Sequence, residues 1–429
     1  MLKHLLRGGG SDIKGDSWVA TLGGSNSDIG NSVAIGSDGS VYVCGETNND
    51  YLLAKFNSSG TLQWQKTTGG YPSSRAVAIG SDDSVYVCGS TYIEDGRGYE
   101  CLITKFNSSG TLQWQKTLGV SNSNSTGVGS IAIGSDGSVY VCGSTASEDL
   151  RYRYMLIAKY NSSGALQWQK KLGGSYYDRG NSVAVGTDGS VYFCGTSSAG
   201  AGSSDVFITK FNSSGTLQWQ KTLGGSDSDS GNSVAIGSDG SVYICGNTYS
   251  AGAGGSDAFI AKFNSSGTLQ WQKTLGGSNS DIGNSVAIGS DGSVYICGNT
   301  YSAGAGGSDA FIAKFNSSGT LQWQKTLGGS DSDSGNSVAI GSDGSVYVCG
   351  RTYSAGAGGS DILIARITDD VINQSTVIYG NFTLQDAALT VSNASLINQT
   401  ASLSLANPGM SVLTPSLTVK DANLTFTKY

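Results

Sequence analysis

The side chains that most often carry enzyme chemistry are scarce in this chain. Its single histidine is His4, so a histidine base or a histidine metal site has almost no material. Hydrolysis by a carboxylate pair is the catalytic alternative, and Glu94, Asp95 and Glu148 are its only unusual candidates. We therefore predict a protein that is not an enzyme, with no cofactor and no metal.

Eight cysteines raise the question of disulfides, metal binding or redox chemistry. Seven of them stand in a recurring V-Y-x-C-G motif, at Cys44, Cys88, Cys142, Cys194, Cys245, Cys297 and Cys349. Equivalent positions in neighbouring packed sheets lie about 10 Å apart, whereas a disulfide needs Cα atoms within about 7 Å. One thiolate per unit also makes no metal cluster. We predict seven buried, reduced, apolar thiols, with a Cys88–Cys101 disulfide as the alternative that stays open.

These residues are positioned by a repeat of about fifty residues. The tryptophans that mark it are Trp18, Trp64, Trp114, Trp168, Trp219, Trp271 and Trp323, with spacings of 46, 50, 54, 51, 52 and 52 residues. Each unit offers four strands, N-S-V-A-I-G, V-Y-x-C-G, F-I-A-K-F and T-L-Q-W-Q-K-T-L, joined by S-D-G-S and N-S-S-G turns. Such a period is typical of a β-propeller blade, so we predict an all-β, seven-bladed propeller.

The phase of the repeat predicts how the ring closes. One tryptophan strand, Ser17–Leu22, precedes the first unit, and the last unit stops after its third strand, Ile362–Ile367. We predict that the N-terminal strand completes the blade that begins near Asn336, which would close the ring without a covalent bond and remove its exposed edges.

The pattern resembles the bacterial seven-bladed β-propeller repeat family, whose members carry G-x-V-Y-V-x-G, a Phe-rich strand and an N-x-x-G turn. The resemblance covers residues 17–368. It implies the propeller fold and leaves the function open, because propellers serve binding, scaffolding and enzymatic roles alike.

A binding surface is predicted on the rim that holds the connections between blades and the loops between second and third strands. The loops between second and third strands are S-A-G-A-G-rich in blades four to seven, whereas those of blades one to three differ. Blades two and three and the connection into blade four carry mixed tyrosines and arginines, with carboxylates in blades two and three. Such mixtures are frequent at recognition surfaces. The candidate ligand-binding residues are Tyr92, Glu94, Asp95, Arg97, Tyr99, Arg151, Tyr152, Arg153, Tyr154, Tyr176, Tyr177 and Arg179. The alternative to a binding surface is that these loops have diverged in sequence without acquiring a function and that their charges are simply solvated.

Two further motifs have structural and functional interpretations. Asp227 with Asp229, and Asp331 with Asp333, alternate as in calcium loops, but too few oxygen ligands follow, so we favour turn formation by these side chains. The tryptophans are interpreted as packing between blades, with carbohydrate stacking as the alternative for any exposed ring.

Outside the repeat, residues 1–16 form an N-terminal arm and residues 369–429 a segment with few charges, in which Leu, Val and Phe alternate with Ser, Thr and Asn. This alternation predicts a small β module. It is too small to bury much alone, so we expect a role in attachment or oligomerisation.

The net charge of −7 excludes a generic nucleic-acid binder, and no apolar run is long enough for membrane insertion.

Four features together favour a bacteriophage virion component, such as a tail-fibre, receptor-binding or capsid-decoration protein. They are the absence of an evident export signal, the free thiols, the terminal β segment and the near-identical blades. The protein's predicted partners are a cell-surface glycan or protein receptor, other virion or surface proteins contacted through residues 369–429 or the arm, and further copies of itself. The alternative is a secreted or cell-surface bacterial lectin or adhesin.

Overall fold

The computed structural model describes most of the chain between residues 17 and 428. The described ranges are 17–47, 50–68, 73–93, 98–119, 126–146, 151–173, 177–198, 203–393, 397–400, 404–406, 411–413, 419–421 and 425–428.

Seven antiparallel sheets form the blades of a propeller. The chain begins with β1 (Trp18–Gly23) and then builds blade 1 from β2 (Asp28–Ile35), β3 (Val41–Thr47), β4 (Asp50–Phe56) and β5 (Leu62–Thr68). Blade 2 contains β6 (Ser73–Ile79), β7 (Val85–Ile93), β8 (Gly98–Phe106) and β9 (Leu112–Gly119). Blade 3 contains β10 (Thr126–Ile133), β11 (Val139–Ala146), β12 (Arg153–Tyr160) and β13 (Leu166–Gly173).

The remaining blades follow the same order. Blade 4 contains β14 (Arg179–Val185), β15 (Val191–Ser197), β16 (Asp205–Phe211) and β17 (Leu217–Gly224). Blade 5 contains β18 (Asp229–Ile236), β19 (Val242–Thr248), β20 (Asp257–Phe263) and β21 (Leu269–Gly276). Blade 6 contains β22 (Asp281–Ile288), β23 (Val294–Thr300), β24 (Asp309–Phe315) and β25 (Leu321–Gly328). Blade 7 contains β26 (Asp333–Ile340), β27 (Val346–Thr352) and β28 (Asp361–Ile367).

The hydrophobic core lies between the blades. One cluster joins blade 1 to blade 2 through Tyr42, Cys44, Tyr51, Leu53, Val77, Val85, Val87 and Phe106. The second and third strands are buried on both faces because each is covered by a neighbouring blade, which explains their nearly continuous apolar sequence.

The N-terminal strand closes the ring, as the repeat phase predicted. β1 pairs antiparallel with β28, from Trp18 opposite Arg366 to Leu22 opposite Ile362. Trp18 and Leu22 are fully buried, so the closing strand contributes apolar packing as well as backbone hydrogen bonds.

Beyond the short helix α1 (Asp369–Ile372), the C-terminal strands encircle the propeller. They are β29 (Thr376–Tyr379), β30 (Phe382–Asp386), β31 (Thr390–Asn393), β32 (Ile397–Thr400), β33 (Ser404–Ala406), β34 (Ser411–Leu413), β35 (Val419–Asp421) and β36 (Thr425–Lys428). Strands β30 to β36 pair in turn with the outer strands of blades 6, 5, 4, 3, 2, 1 and 7. We call β30–β36 the belt.

The sequence predicted strands in this segment, and strands are present. The described strands do not form one sheet of their own: apart from β29, which pairs with β30, each becomes the fifth strand of a blade. The attachment or oligomerisation role of residues 369–429 stays a prediction.

A seven-residue period, which the sequence analysis missed, places the belt. Positions 383, 390, 397, 404, 411 and 425 lie opposite the last glycine of an outer strand, beginning with Thr383 opposite Gly328 and ending with Thr425 opposite Gly23. The large apolar residues that precede them recur every seven positions, at Phe382, Leu389, Leu396, Leu403, Met410, Leu417 and Leu424. One heptad therefore serves one blade.

Side chains of blade 6 bind the beginning of the belt, where β30 ends and the chain leads to β31. The amide of Gln324 donates to the carbonyl oxygens of Ala387 at 2.9 Å and Leu389 at 2.8 Å. The buried Lys325 ammonium forms an ion pair of 2.5 Å with Asp386. Gln324 and Lys325 belong to the W-Q-K motif that every outer strand after β1 repeats, and in blade 6 this motif binds the belt.

Candidate functional site

The two rims of the propeller differ in construction. One rim carries the S-D-G-S and N-S-S-G turns, in which an aspartate or asparagine side chain binds its own turn: Asp38 accepts from the Ser40 backbone N–H at 2.8 Å. Lys55 lies 3.9 Å from the Asp38 carboxylate and links the two turns. This rim repeats with little change and is structural.

On the opposite rim, buried aspartates of adjacent blades face each other. The pairs are Asp361 with Asp28, Asp205 with Asp229, Asp257 with Asp281 and Asp309 with Asp333. All eight side chains are 0–2% exposed. A Cβ at Gly328 would overlap Oδ1 of Asp309 and lie 3.1 Å from Oδ2 of Asp333, so both carboxylates lie against the same glycine.

In the pair of Asp309 and Asp333, only part of the hydrogen-bonding capacity of the carboxylates is used. Oδ2 of Asp333 accepts from the Gly329 N–H at 2.7 Å and from the Ser354 hydroxyl at 2.7 Å. Oδ1 of Asp309 and Oδ1 of Asp333 have no hydrogen-bond partner in the structure. Burial, and then the neighbouring Asp333 carboxylate, raises the pKa of Asp309 to about 7. In the same way, burial and Asp28 raise the pKa of Asp361 to about 6.

The alternating aspartates therefore belong to the contacts between blades. Asp229 and Asp333 are the buried members, whereas Asp227 and Asp331 are exposed. Among the described residues, no group of three or more His, Cys, Asp or Glu side chains is placed to hold a metal ion.

Blade 2 presents two aromatic candidates at its loop. Tyr92 and Tyr99 lie opposite each other on β7 and β8. Their rings are 45% and 49% exposed, and they meet edge to face with centroids 5.4 Å apart. Glu94, Asp95, Arg97 and Tyr176, together with the carboxylate candidate Glu148, lie outside the described residues.

Blade 3 turns part of its predicted site inward. Arg151 is exposed, whereas Tyr152, Arg153 and Tyr154 are partly buried. Tyr154 occupies the position where blades 4 to 7 have their third-strand aspartate, since it lies opposite Thr145 just as Asp257 lies opposite Thr248. Tyr154 therefore has a packing role at the junction with blade 4.

Tyr177 and Arg179 form a compact exposed pair where blade 3 leads into blade 4. The guanidinium of Arg179 lies 4.7 Å from the centroid of the Tyr177 ring, a cation–π contact. Arg179 begins β14, the innermost strand of blade 4, so this pair stands at the mouth of the central channel.

The channel wall contains a feature that the sequence analysis missed. Innermost strands are linked by an asparagine amide that donates to a backbone carbonyl of the next blade, from Asn31, Asn181, Asn232, Asn284 and Asn336. Blade 2 has Arg75 at this position and blade 3 has Gly129. Aligning the G-N-S-V motifs of the seven repeats would have revealed both departures.

All eight cysteines are buried and free, as predicted for the seven in the motif, and no Cys88–Cys101 disulfide forms. Burial raises the pKa of the Cys44 and Cys101 thiols to about 12.

The packing interpretation of the tryptophans is confirmed as well, because the Trp64 indole N–H donates to Ser108 O of the next blade at 3.4 Å. None of the described helices has the length and apolarity that a membrane span needs.

Family comparisons recover the repeat. A family described as a beta-propeller repeat matches residues 18–51, and a beta-propeller domain of unknown function, DUF5122, matches residues 186–217, 237–269 and 289–321. With seven blades in the fold, these matches confirm the predicted resemblance to bacterial seven-bladed β-propeller repeats. The regulatory protein FlaEY of Caulobacter vibrioides is 28% identical over 203 residues, 39% of this chain, and the match spans 21% of that protein's length.

Solved propellers that resemble the chain include enzymes. Virginiamycin B lyase from Staphylococcus aureus covers 81% of this chain and 100% of its own, with a TM-score of 0.45 and 11% identity. An α-L-arabinofuranosidase from Fusarium graminearum covers 83% and 98%, with a TM-score of 0.46 and 11% identity. An α-L-arabinanase from Penicillium chrysogenum covers 66% and 92%, with a TM-score of 0.44 and 12% identity.

These neighbours correct one prediction. The prediction that the chain is not an enzyme, which rested on the scarcity of histidine and carboxylate candidates, is wrong, because propellers among these neighbours are enzymes. Likeness at such low identity shows no catalysis in this chain either.

Proposed function

We propose that this chain, a seven-bladed propeller of bacterial β-propeller repeats, is a displayed binding protein whose rim at blades 2 to 4 contacts a cell-surface glycan or protein receptor. The asymmetry of the rim carries the proposal. Tyr92, Tyr99, Arg151, Tyr177 and Arg179 are exposed at blades 2 to 4, on a scaffold whose later blades are nearly identical to one another. We call these five residues the rim patch.

The preferred setting is a bacteriophage virion, where many copies would be displayed, and the alternative is a bacterial lectin or adhesin. The ring and its belt support a display role, because the outer strand of every blade is paired and the belt strands that form the new edges are only three to five residues long. Mass spectrometry of purified phage particles and of culture supernatant from the source organism separates the two settings. Stoichiometric amounts in particles support the virion, and protein found only free or on cell envelopes contradicts it.

The binding surface is tested by measuring attachment of the labelled protein to candidate host cells. Alanine at Tyr92, Tyr99 and Tyr177 should reduce attachment at least about tenfold, because exposed aromatics often dominate interfaces. The matched control replaces Tyr249, Tyr301 and Tyr353, which are 56%, 56% and 45% exposed on the same rim at blades 5 to 7. Equal attachment of the two triple variants would place the contact elsewhere.

A further inference from the structure

We propose that the mouth of the central channel at blades 2 to 4 binds an anionic group, a carboxylate, sulfate or phosphate, between Arg75 and Arg179. This inference rests on the proposed function, since it names the ligand chemistry for part of the rim patch. Neither Arg75 nor the channel wall was among the residues predicted from the sequence.

The first observation is where the two arginines stand. Arg75 lies on β6 and Arg179 begins β14, and both of these innermost strands pack against β10 of blade 3. Both side chains are exposed, although they belong to the strands that surround the channel. The two guanidinium groups therefore flank blade 3 from its two sides.

The second observation is that the asparagine ring is interrupted at this place. In five blades an asparagine closes onto the next blade, as Asn181 does onto Gly231 O at 2.9 Å. Arg75 replaces that asparagine, and Gly129 follows in blade 3. No side chain can replace the glycine, because a Cβ at Gly129 would lie 2.5 Å from Gly180 O.

The third observation is an opening in the wall between the arginines. Gly127 on β10 occupies the position that Arg179 has in blade 4, since it lies opposite Ser144 as Arg179 lies opposite Thr196. Among the residues that the structure describes, a Cβ at Gly127 would have only the Ser144 hydroxyl within 4 Å, at 3.8 Å. Blade 3 thus leaves room for a ligand group where blade 4 presents a guanidinium.

The charges nearby favour an anion. Within the described ranges, no carboxylate forms an ion pair with Arg75 or with Arg179. Two nearby carboxylates are engaged elsewhere: Glu46 accepts from the Asn31 amide at 3.5 Å, and Asp178, which precedes Arg179, accepts from the Ser197 hydroxyl at 2.6 Å. Guanidinium groups bind planar or tetrahedral oxyanions through paired hydrogen bonds. The protein as a whole carries a net charge of −7, whereas the two exposed arginines on either side of the space at Gly127 are positively charged.

The test measures binding of oligogalacturonate, dextran sulfate, inorganic phosphate and neutral dextran to the full chain by calorimetry at low salt. We expect at least one anion to bind and neutral dextran to fail. Arg75→Gln and Arg179→Gln should each weaken that binding at least about tenfold, and added salt should weaken it further. Binding of inorganic phosphate alone would identify a free oxyanion as the ligand, and binding of the polymers alone would identify an acidic glycan.

Two variants make the test specific. Gly127→Val fills this space and keeps both arginines, so it should weaken binding without changing the charge. Lys262→Gln removes one positive charge on the structural rim and should bind as the wild type does. Thermal unfolding verifies that each variant is folded.

Failure of this inference differs from failure of the proposed function. If no anion binds, or if Arg75→Gln and Arg179→Gln bind as the wild type does, the anion site is overturned, whatever the cell attachment shows. If anion binding depends on both arginines while the tyrosine variants attach to cells normally, the anion site stands and the receptor surface is wrong.

Discussion

At the scale of residues, the buried aspartates are the most unusual chemistry in the chain. Four pairs lie between blades, and in the pair against Gly328 burial raises the pKa of both Asp309 and Asp333. The aspartates of the S-D-G-S turns behave oppositely: the backbone N–H of Ser40, with its hydroxyl and Lys55, holds the pKa of Asp38 below its usual value. The protein therefore contains two sets of aspartates with opposed responses to pH.

This opposition predicts maximal stability in mildly acidic solution. A raised folded-state pKa stabilises the fold at low pH, and for Asp309 that stability is lost as the pH rises from 3.8 through about 7. A lowered pKa, as at Asp38, stabilises the fold when the pH is above 3.8, the ordinary pKa of the carboxyl. This stabilisation is lost as the pH falls below that value. The free energy of unfolding should therefore peak at about pH 4 to 6, as measured by urea unfolding across pH.

Asp309→Asn tests the origin of the alkaline decline. Asparagine carries no charge, so the variant should exceed the wild type at pH 8 by on the order of 1 kcal/mol and lose that advantage near pH 4. The exposed Asp227→Asn is the matched control and should leave the pH profile unchanged. An Asp309→Asn profile parallel to that of the wild type would exclude the raised pKa of Asp309 as the origin of the alkaline decline.

At the scale of elements, the belt is the least expected part of the fold. Its strands contribute three to five residues each, too few to be stable alone, and they persist because an outer strand of the propeller already presents a paired template. Seven extended residues span at most about 25 Å, which sets one heptad as the step from one blade to the next. Leu384 and Leu389 are buried, so the belt also extends the cores between blades.

Removing the belt should leave the outer strand of each of the seven blades as an unpaired, exposed edge. A chain ending at residue 375 should keep its ring but melt at least about 5 °C lower, through lost apolar burial, and should self-associate through its open edges. Differential scanning calorimetry and light scattering measure the two effects. A shorter deletion of residues 422–429 removes only β36 and should produce a smaller effect. Equal melting temperatures for all three chains would show that the belt contributes no stability.

At the scale of the whole molecule, blade 7 is where the ring closes. Its sheet has the order β26, β27, β28, β1, β36, so the first and the last strands of the chain lie side by side. Ring closure therefore depends on β1, onto which β36 then pairs, and on contacts between residues more than three hundred positions apart, such as the Asn336 amide with Gly30 O at 2.8 Å.

Deleting residues 1–23 should weaken the ring severely. It removes β1 with the buried Trp18, Val19 and Leu22, whose burial alone contributes roughly 5 kcal/mol or more, and it leaves β28 and β36 without their common partner. We expect a loss of more than about 10 °C in melting temperature or a failure to fold. A deletion of residues 1–16 retains the strand and serves as the control. A 1–23 deletion that melts like the control would contradict closure by β1.

The sequence by itself determined the number of blades, the strands within them and the closure by β1. These features follow from local signals: the tryptophan period, the Asp-Gly turns and the alternation of apolar residues act within about fifty residues. The rim of the candidate site was predictable too, because turn chemistry fixes which loops share a rim. Of the predicted site residues, Tyr92, Tyr99, Arg151, Tyr177 and Arg179 are exposed there, whereas Tyr154 packs at a junction between blades.

Only the tertiary structure decided which distant groups meet. The sequence predicts the belt segments as strands. Their partners, however, are the outer strands of blades up to several hundred residues away, and the sequence of a short edge strand does not indicate which strand it pairs with. Asp309 and Asp333 lie on different blades, and their raised pKa values arise from the burial that packing of blade 6 against blade 7 creates. Arg75 resembles an ordinary surface arginine until the ring places it on a channel strand that packs against β10, the strand of Gly127, with Arg179 on the strand at the other side of β10.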